Sequence, residues 1–311
     1  MDKGLTAPLR PDQAPGMDQA SGITYAIAAA SSYALVPNLV RAAYNSGIPA
    51  LEAVCVRTTV VAVVLFIVAR AKDLSFHIPR SAWRGFGLMF LATLSVSACY
   101  LSSVQFISVG MAVTIFYTFP IIIAVASPLI EGHAPSARLL GLAALAFAGL
   151  VLAIGPAFSG LDWRGIVLAI ASAFGCALQF FSGRMLSGKM QPSAFGSLTH
   201  IFLLPIVVAI TLYAGSGHVA LAQHGPMTAP VLSVSAMALA YCAGYFLHMS
   251  AVNNAPSAVV APYFNLEPVL TIVIATVFLG ESLGVIQIAG IALVIVALVA
   301  VNRLDDRKTS A

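Results

Sequence analysis

The sequence predicts an all-α membrane protein in which ten transmembrane helices form two inverted-topology five-helix repeats around a central cavity. Composition indicates the membrane, because the 311-residue chain is 60% hydrophobic and 8% charged, whereas soluble domains average about 25% charged residues. Ten apolar stretches indicate the number of helices. An internal duplication, which relates Gly22 to Gly165 at a spacing of 143 residues, indicates the two repeats.

Each predicted span is a continuous apolar stretch of about 20 residues, the length that an α-helix needs to cross a bilayer. Strands of a membrane β-barrel would alternate apolar and polar residues over about 10 positions, and these stretches do not alternate. Helices also satisfy every backbone N–H and C=O group within one segment. The ten predicted spans are 22–43, 49–69, 85–105, 109–130, 138–155, 164–185, 192–213, 230–252, 257–279 and 284–301.

The duplication is in register over two parts of each half. The early part repeats at a spacing of 143 and the later part at a spacing of 148, which gives two halves of five spans. An odd number of spans places the second half upside down relative to the first, a construction typical of secondary transporters. The matched pairs include Ala26 and Ala169, Arg41 and Arg184, Pro49 and Pro192, Phe116 and Phe264, and Pro120 and Pro268.

Basic residues predict the orientation. Twelve of the fifteen Lys and Arg residues lie at one set of span ends, and only Arg41, Arg57 and Arg164 do not. Because cytoplasmic loops collect Lys and Arg, we expect both termini in the cytoplasm and a multi-pass protein of a bacterial-type inner (plasma) membrane. The net charge of +4 then reflects topology and not nucleic-acid binding.

The segments follow from the spans. Residues 1–20 are rich in Pro, Gln and Asp and lack a signal-peptide pattern, so we expect a disordered cytoplasmic tail. Residues 21–155 and 156–302 form the two repeats, and residues 303–311 form a second cytoplasmic tail. The fifth and tenth spans are almost wholly apolar and face either lipid or a partner subunit. A monomer and a homodimer therefore both fit the sequence.

One group of residues resembles a known family, the EamA-type ten-helix drug/metabolite transporters, and within it the bacterial (aromatic) amino-acid exporters. The ending Phe278-Leu279-Gly280-Glu281 carries most of the resemblance, and the first repeat departs from it at Leu129-Ile130-Glu131-Gly132. The resemblance implies a pseudo-twofold bundle with a central substrate cavity that exports small metabolites without ATP. The other residues that carry it are Asn38, Pro49, Arg57, Glu267, Pro268 and Gly290.

Glu267 is the strongest candidate for a substrate-binding residue. It lies ten residues into the ninth span, roughly 15 Å along the helix and near the bilayer midplane. With Tyr263 and Thr271 it forms an i, i+4, i+8 stripe, which places one polar face toward the interior. Pro262 and Pro268 remove backbone donors and free carbonyls nearby. A structural role, in which Glu267 binds Asn265, Arg57 or a backbone amide, also fits.

A second polar stripe occurs in both repeats. Tyr241, Tyr245 and His248 share one face of the eighth span, and their counterparts at the 148-residue spacing share one face of the third. We expect these faces to line the cavity, although hydrogen bonds between packed membrane helices explain such residues equally well. The counterparts are Thr93, Ser97 and Tyr100, and further lining candidates are Tyr117 and Asn38.

Basic groups occur at matched positions of the second and seventh spans, where Arg57 corresponds to His200. Arg57 suits a substrate carboxylate as a planar two-pronged donor, and it also suits a structural pairing with Glu52 or helix-end carbonyls. His200 and His248 titrate near neutral pH when solvated and would then couple protons to transport. Buried structural histidines are the alternative for both positions.

Missing motifs exclude other classes. No G-x-x-x-x-G-K-[ST] loop is present, so we expect no ATP hydrolysis. The sequence has no H-E-x-x-H, no G-x-S-x-G and no paired intramembrane Asp, so we expect no enzyme activity, metal or cofactor. The partners are a small-molecule substrate and lipid. A tyrosine-rich lining with one carboxylate and one guanidinium favours export of amino acids with large neutral or aromatic side chains. Hydrophobic cationic drugs, import and channel-like facilitation remain the alternatives.

Overall fold

The structure of the protein is a computed structural model that describes most of the chain. The predicted N-terminal tail lies almost wholly outside the described residues, as do Glu131, Gly280 and Glu281. The described residues are 18–103, 106–130, 136–155, 162–214, 219–279 and 284–309.

Ten helical spans make up the described part of the chain, which confirms the predicted fold class. Nine stretches are long and apolar enough to cross a membrane, and a shorter apolar stretch, Val285–Ala300, supplies the tenth. Continuous spans are α1 (Gln19–Asn45), α2 (Ala50–Ala71), α3 (Trp83–Ser103), α5 (Ala137–Ile154), α6 (Trp163–Leu186), α7 (Pro192–Ala214), α8 (Ala229–Asn254) and α10 (Val285–Thr309). Discontinuous spans are α4 (Val109–Phe116 and Phe119–Ile130) and α9 (Ser257–Val260 and Leu266–Leu279). The last helix continues through residues 303–309, which the sequence assigns to a tail.

The two halves run in opposite directions, as the contact between the corresponding helices α2 and α7 shows. The Thr211 hydroxyl near the end of α7 donates to the carbonyl of Leu51 at the start of α2, at 3.4 Å. The Ser197 hydroxyl, near the start of α7, donates to the carbonyl of Ala62 at 2.9 Å. Equivalent helices are therefore antiparallel neighbours, which is the relation that an in-plane pseudo-twofold axis produces.

Two glycines hold the repeats together in the same way on opposite sides of the bundle. A Cβ atom added to Gly22 of α1 would lie 2.4 Å from the Ala255 Cβ at the end of α8. A Cβ atom added to Gly165 of α6 would lie 2.8 Å from the Ile107 Cγ2 beyond the end of α3. Ile107 and Ala255 are 148 residues apart, so both contacts follow the internal duplication.

Two spans are interrupted near their middles. In α9 a 3-10 turn, Ala261–Asn265, separates the two helical pieces, where the sequence predicts a continuous span bent by Pro262 and Pro268. In α4 the helix breaks between Phe116 and Phe119, where the hydropathy predicts a continuous span. Pro120 explains the break, since it has no N–H to donate to the Phe116 carbonyl four residues earlier. The two interruptions are equivalent because Pro120 and Pro268 are repeat counterparts.

The fifth and tenth spans meet through two glycines, and their contact supports a stability prediction. A Cβ atom at Gly290 would lie 2.4 Å from the backbone nitrogen of Ala153 and 2.5 Å from the carbonyl oxygen of Gly149. Displacing these backbone atoms costs free energy. We therefore expect Gly290→Ala to lower the free energy of unfolding by about 1–3 kcal/mol, the usual effect of overpacking. The melting temperature of the detergent-purified protein measures this.

Gly141 in α5 provides the matched control. A Cβ atom there meets nothing within 4 Å, and alanine is the better helix former. We expect Gly141→Ala to melt at or slightly above the wild-type temperature. Equal melting temperatures for the two variants would contradict the close α5–α10 contact.

Candidate substrate site

Glu267 lies at the second piece of α9, directly after the 3-10 turn, and is half-buried. The Tyr117 hydroxyl, at the interruption of α4, lies within interaction range of this carboxylate. Within the described ranges no basic side chain forms an ion pair with it. The carboxylate therefore joins the two interrupted helices, and its negative charge is not neutralised there by a protein cation.

Arg57 in α2 contacts both copies of the second polar stripe, in α3 and in α8. Its Nη2 donates to the Ser97 hydroxyl at 3.3 Å, and its guanidinium carbon lies 4.2 Å from the centre of the Tyr241 ring, a cation–π geometry. The alternative role, in which Arg57 pairs with Glu52, does not occur, because Glu52 binds backbone amides. Among the residues described, no carboxylate pairs with Arg57.

Glu52 instead anchors the connection between α7 and α8. Its two carboxylate oxygens accept hydrogen bonds from the backbone N–H groups of Ala220 and Leu221, each at 2.7 Å. These amides begin a short 3-10 helix, whose N-terminus favours a negative charge. Glu52 is 5% exposed, and both of its oxygens are occupied by this contact.

Tyr33 of α1 is a member of the site that sequence reasoning missed. Its ring lies 5.4 Å from the Tyr241 ring and 6.4 Å from each of the His248 and Phe264 rings, between centroids. It also lies within electrostatic range of Glu267. The absence of a side chain at Gly244 makes room for it, because a Cβ there would be 2.7 Å from the ring.

The duplication relates Tyr33 to a second residue near the carboxylate. The counterpart of Tyr33 at the 143-residue spacing is Cys176, and both side chains interact electrostatically with Glu267. Only the structure shows that these matched positions approach the carboxylate. Tyr33 has no polar residue at i+4, so a search for polar stripes passes over it.

A second series of tyrosines connects the two charged groups. Tyr100 of α3 lies within electrostatic range of both Glu267 and Tyr44, and Tyr44 lies within range of Arg57. Tyr100 also packs on Phe116, with ring centroids 5.3 Å apart. Tyr241 and Tyr44 therefore lie near the guanidinium, and Tyr33 and Tyr100 lie near the carboxylate.

The two predicted histidines lie deep within aromatic packing. His200 is 2% exposed and contacts the carbonyl of Gly196 through Nδ1 at 2.8 Å. His248 is 3% exposed and packs 4.3 Å from the Phe180 ring. Tyr245, whose ring lies 4.6 Å from His200, faces the Thr93 and Thr199 hydroxyls. The His248 Nε2 and Tyr245 hydroxyl atoms have no hydrogen-bond partner among the described residues.

Asn38 and Thr271 attach α1 to α9 beside the carboxylate. The Asn38 Nδ2 donates to the Thr271 carbonyl at 3.3 Å, and the Thr271 hydroxyl lies 3.2 Å from the Ala34 carbonyl and 3.0 Å from that of Glu267. These contacts position the helices. Tyr263 is buried in the 3-10 turn of α9. The predicted residues are thus distributed around Glu267, around Arg57, or along the contacts between them.

A multi-pass bundle of two inverted halves, with interrupted helices and isolated charges at its centre, defines a membrane transporter. Residues 20–155 and 163–303 each match the model of the EamA-like transporter family. The chain belongs to that family, whose members are transport proteins.

Similar proteins include transporters from several bacteria. The threonine/homoserine exporter RhtA of Escherichia coli (strain K12) is 28% identical over 210 residues, 67% of this chain and 67% of the relative. The uncharacterized transporter sll1319 of Synechocystis sp. is 26% identical over 227 residues, 71% of this chain and 66% of the relative. The chain thus aligns with about two thirds of the length of these curated relatives.

A solved crystal structure of another protein has the same fold. It superimposes with a TM-score of 0.77 and covers 94% of this chain and 100% of that one, at 16% sequence identity.

Proposed function

We propose that this transporter exports amino acids by alternating access, in a bacterial inner membrane with both termini in the cytoplasm. Glu267 binds the substrate ammonium group and Arg57 binds the substrate carboxylate. One observation carries the proposal: within the described residues, two groups of opposite charge lack ionic partners, and the neighbouring Tyr241 and Tyr33 rings connect them. Isolated charges within a membrane are unfavourable, and a zwitterion supplies a partner for each.

The aromatic walls favour a large neutral or aromatic side chain. Tyr33, Tyr241 and Phe264 offer ring faces and edges, which stabilise apolar and aromatic groups. The relative RhtA is named for export of threonine and homoserine, which supports amino acids as the class and export as the direction. Transport of small hydroxylated amino acids therefore has to be compared directly with transport of large neutral ones.

A hydrophobic organic cation is the second candidate. Arg57 already contacts Tyr241 and Ser97, so Glu267 alone would bind such a molecule. In this case the substrate needs no carboxylate. The two candidates differ in whether removal of the carboxylate from a substrate prevents its transport.

Transport into liposomes that contain the purified protein tests the proposal. We expect saturable transport of phenylalanine and leucine, weaker transport of threonine and homoserine, and little transport of phenylalaninamide or tetraphenylphosphonium. Movement of the two cations alone would overturn the amino-acid proposal, and non-saturable movement of amino acids would indicate a facilitator. Repeating the measurement with an imposed pH gradient determines whether protons drive the transport.

A further inference from the structure

A cavity of about 220 Å³ lies away from the Arg57–Glu267 region, at the end of the bundle where α1 begins and α8 ends. The positive-inside pattern assigns this end to the cytoplasm. The cavity is a half-open cleft bordered by both repeats and by the connections between α2 and α3 and between α6 and α7. Its polar lining includes Tyr25, Lys72, Gln191, Ser193, Ser250 and Asn253.

The face of α8 that lines the cavity differs from the face at the central site. Phe246, Ser250 and Asn253 line it and follow one another at i, i+4 and i+7, a spacing that aligns side chains on one helix face. The residues of α8 at the central site are Tyr241 and His248, on a neighbouring face. The cavity is therefore a separate compartment, on the same helix that contributes to the central site.

The chemistry of the lining suits a small anion. Lys72 supplies one ammonium group, the amides and hydroxyls supply further donors, and no acidic residue is among the lining residues. Within the described residues Lys72 and the Gln191 and Ser193 side chains have no hydrogen-bond partner. Lys189, on the same end of the bundle, is engaged with the Ser81 carbonyl at 3.2 Å. An apolar wall adjoins these donors.

The cavity lies beside the contact that closes this end of the bundle. Gly22 of α1 packs directly against Ala255 at the end of α8, and Tyr25 in the cavity wall is one turn of α1 further along. A volume of about 220 Å³ is below the range of about 300–1,000 Å³ that holds drug-sized ligands. It exceeds the volume of a single water several-fold, which suits a molecule of amino-acid size.

We propose that this cavity is a loading subsite, in which Lys72 binds the carboxylate of a free metabolite before α1 and α8 separate. The inference deepens the proposed function and rests on it for the identity of the cargo. The binding itself depends only on the cavity. A lipid phosphate offers a similar anionic oxygen, so the experiment must separate a free carboxylate from an anionic lipid.

A thiol-protection measurement tests binding independently of transport. Gln191 lines the cavity and is exposed, so a thiol at this position is open to a maleimide. In Gln191→Cys protein, we expect phenylalanine to slow the modification and phenylalaninamide to have no effect. Adding Lys72→Gln should abolish the protection, whereas adding Lys189→Gln should leave it intact. The native cysteines give a low background, since two are buried and two are half-buried within spans.

Transport kinetics provide the second readout. From the side of the cavity, we expect Lys72→Gln to raise the KM for phenylalanine about fivefold, the effect of one exposed ionic contact, with the maximal rate kept. Lys72→Arg should restore most of the affinity, and Lys189→Gln should have none of these effects. From the opposite side the KM should not change.

Three results would overturn the inference: equal protection by phenylalaninamide, protection by glycerol phosphate instead of phenylalanine, or protection that requires phosphatidylglycerol in phosphatidylcholine vesicles. The last two would assign the cavity to a phosphate or a lipid. If the liposomes transport no amino acid although phenylalanine still protects the Gln191→Cys thiol through Lys72, the proposed function fails and the anion-binding cavity remains.

Discussion

Glu267→Gln is expected to reduce amino-acid transport at least about tenfold, since a hydrogen bond to a charged group contributes roughly 1.5–3 kcal/mol. Glutamine keeps the size of the side chain and an acceptor for the Tyr117 hydroxyl. The negative charge that would bind the substrate ammonium group is lost. Initial rates in liposomes, at equal amounts of folded protein, measure the effect.

Tyr117→Phe distinguishes the charge from the contact between the interrupted helices. This variant removes the hydroxyl that approaches Glu267 but keeps the carboxylate, so we expect a smaller loss of transport than with Glu267→Gln. If Glu267→Gln transports at the wild-type rate, the residue supports the fold and does not bind substrate. If both variants lose transport equally, the α4–α9 contact, and not the charge, is what transport requires.

Arg57→Gln is expected to reduce transport of amino acids at least about tenfold and to leave the transport of any organic cation unchanged. The guanidinium matches a carboxylate as a planar two-pronged donor, and an uncharged amide offers a weaker contact. Arg57→Lys should retain only part of the activity, because lysine keeps the positive charge but lacks the two-pronged donor geometry of arginine. The ratio of phenylalanine to phenylalaninamide transport measures this selectivity.

Ser97→Ala provides the control for Arg57. It removes the 3.3 Å hydrogen bond that orients the guanidinium and leaves the stacking on Tyr241. We expect a modest rise in KM with unchanged selectivity. Equal losses for amino acids and organic cations in Arg57→Gln would show that Arg57 supports the bundle and does not recognise a carboxylate.

The spans and the two repeats are predictable because the membrane restricts the possible structures. An apolar stretch such as 138–155 has to form a helix, and the α-helix Ala137–Ile154 agrees with it to within one residue. The direction of the second half follows from an odd span count. No long-range contact needs to be known for either conclusion.

The details of the centre depend on contacts between distant residues, and sequence patterns do not contain these. The partner of Glu267 is Tyr117, 150 residues earlier in the chain, and no periodicity relates them. The partners of Glu52 are backbone amides of a loop, which have no sequence signature. Polar stripes identified Tyr241 and His248, but Tyr33 adjoins them from another helix and belongs to no stripe.

The interruption in α4 shows a different limit. Its hydropathy is that of a continuous span, yet the helix breaks at Tyr117. Pro120 was visible in the sequence, and the symmetry with Pro268 would have predicted the break. Reading each half as a template for the other therefore recovers structure that composition alone conceals.

The unequal residues at the two glycine contacts have an energetic consequence. Gly22 meets the single methyl group of Ala255, whereas its counterpart Gly165 meets the larger side chain of Ile107. Packing between membrane helices depends on such close approach, so we expect the inward-facing and outward-facing arrangements to differ in free energy. Each ~1.4 kcal/mol of that difference changes their population ratio tenfold. We therefore expect the difference between Ala255 and Ile107 at these two contacts to bias the resting state of the transport cycle.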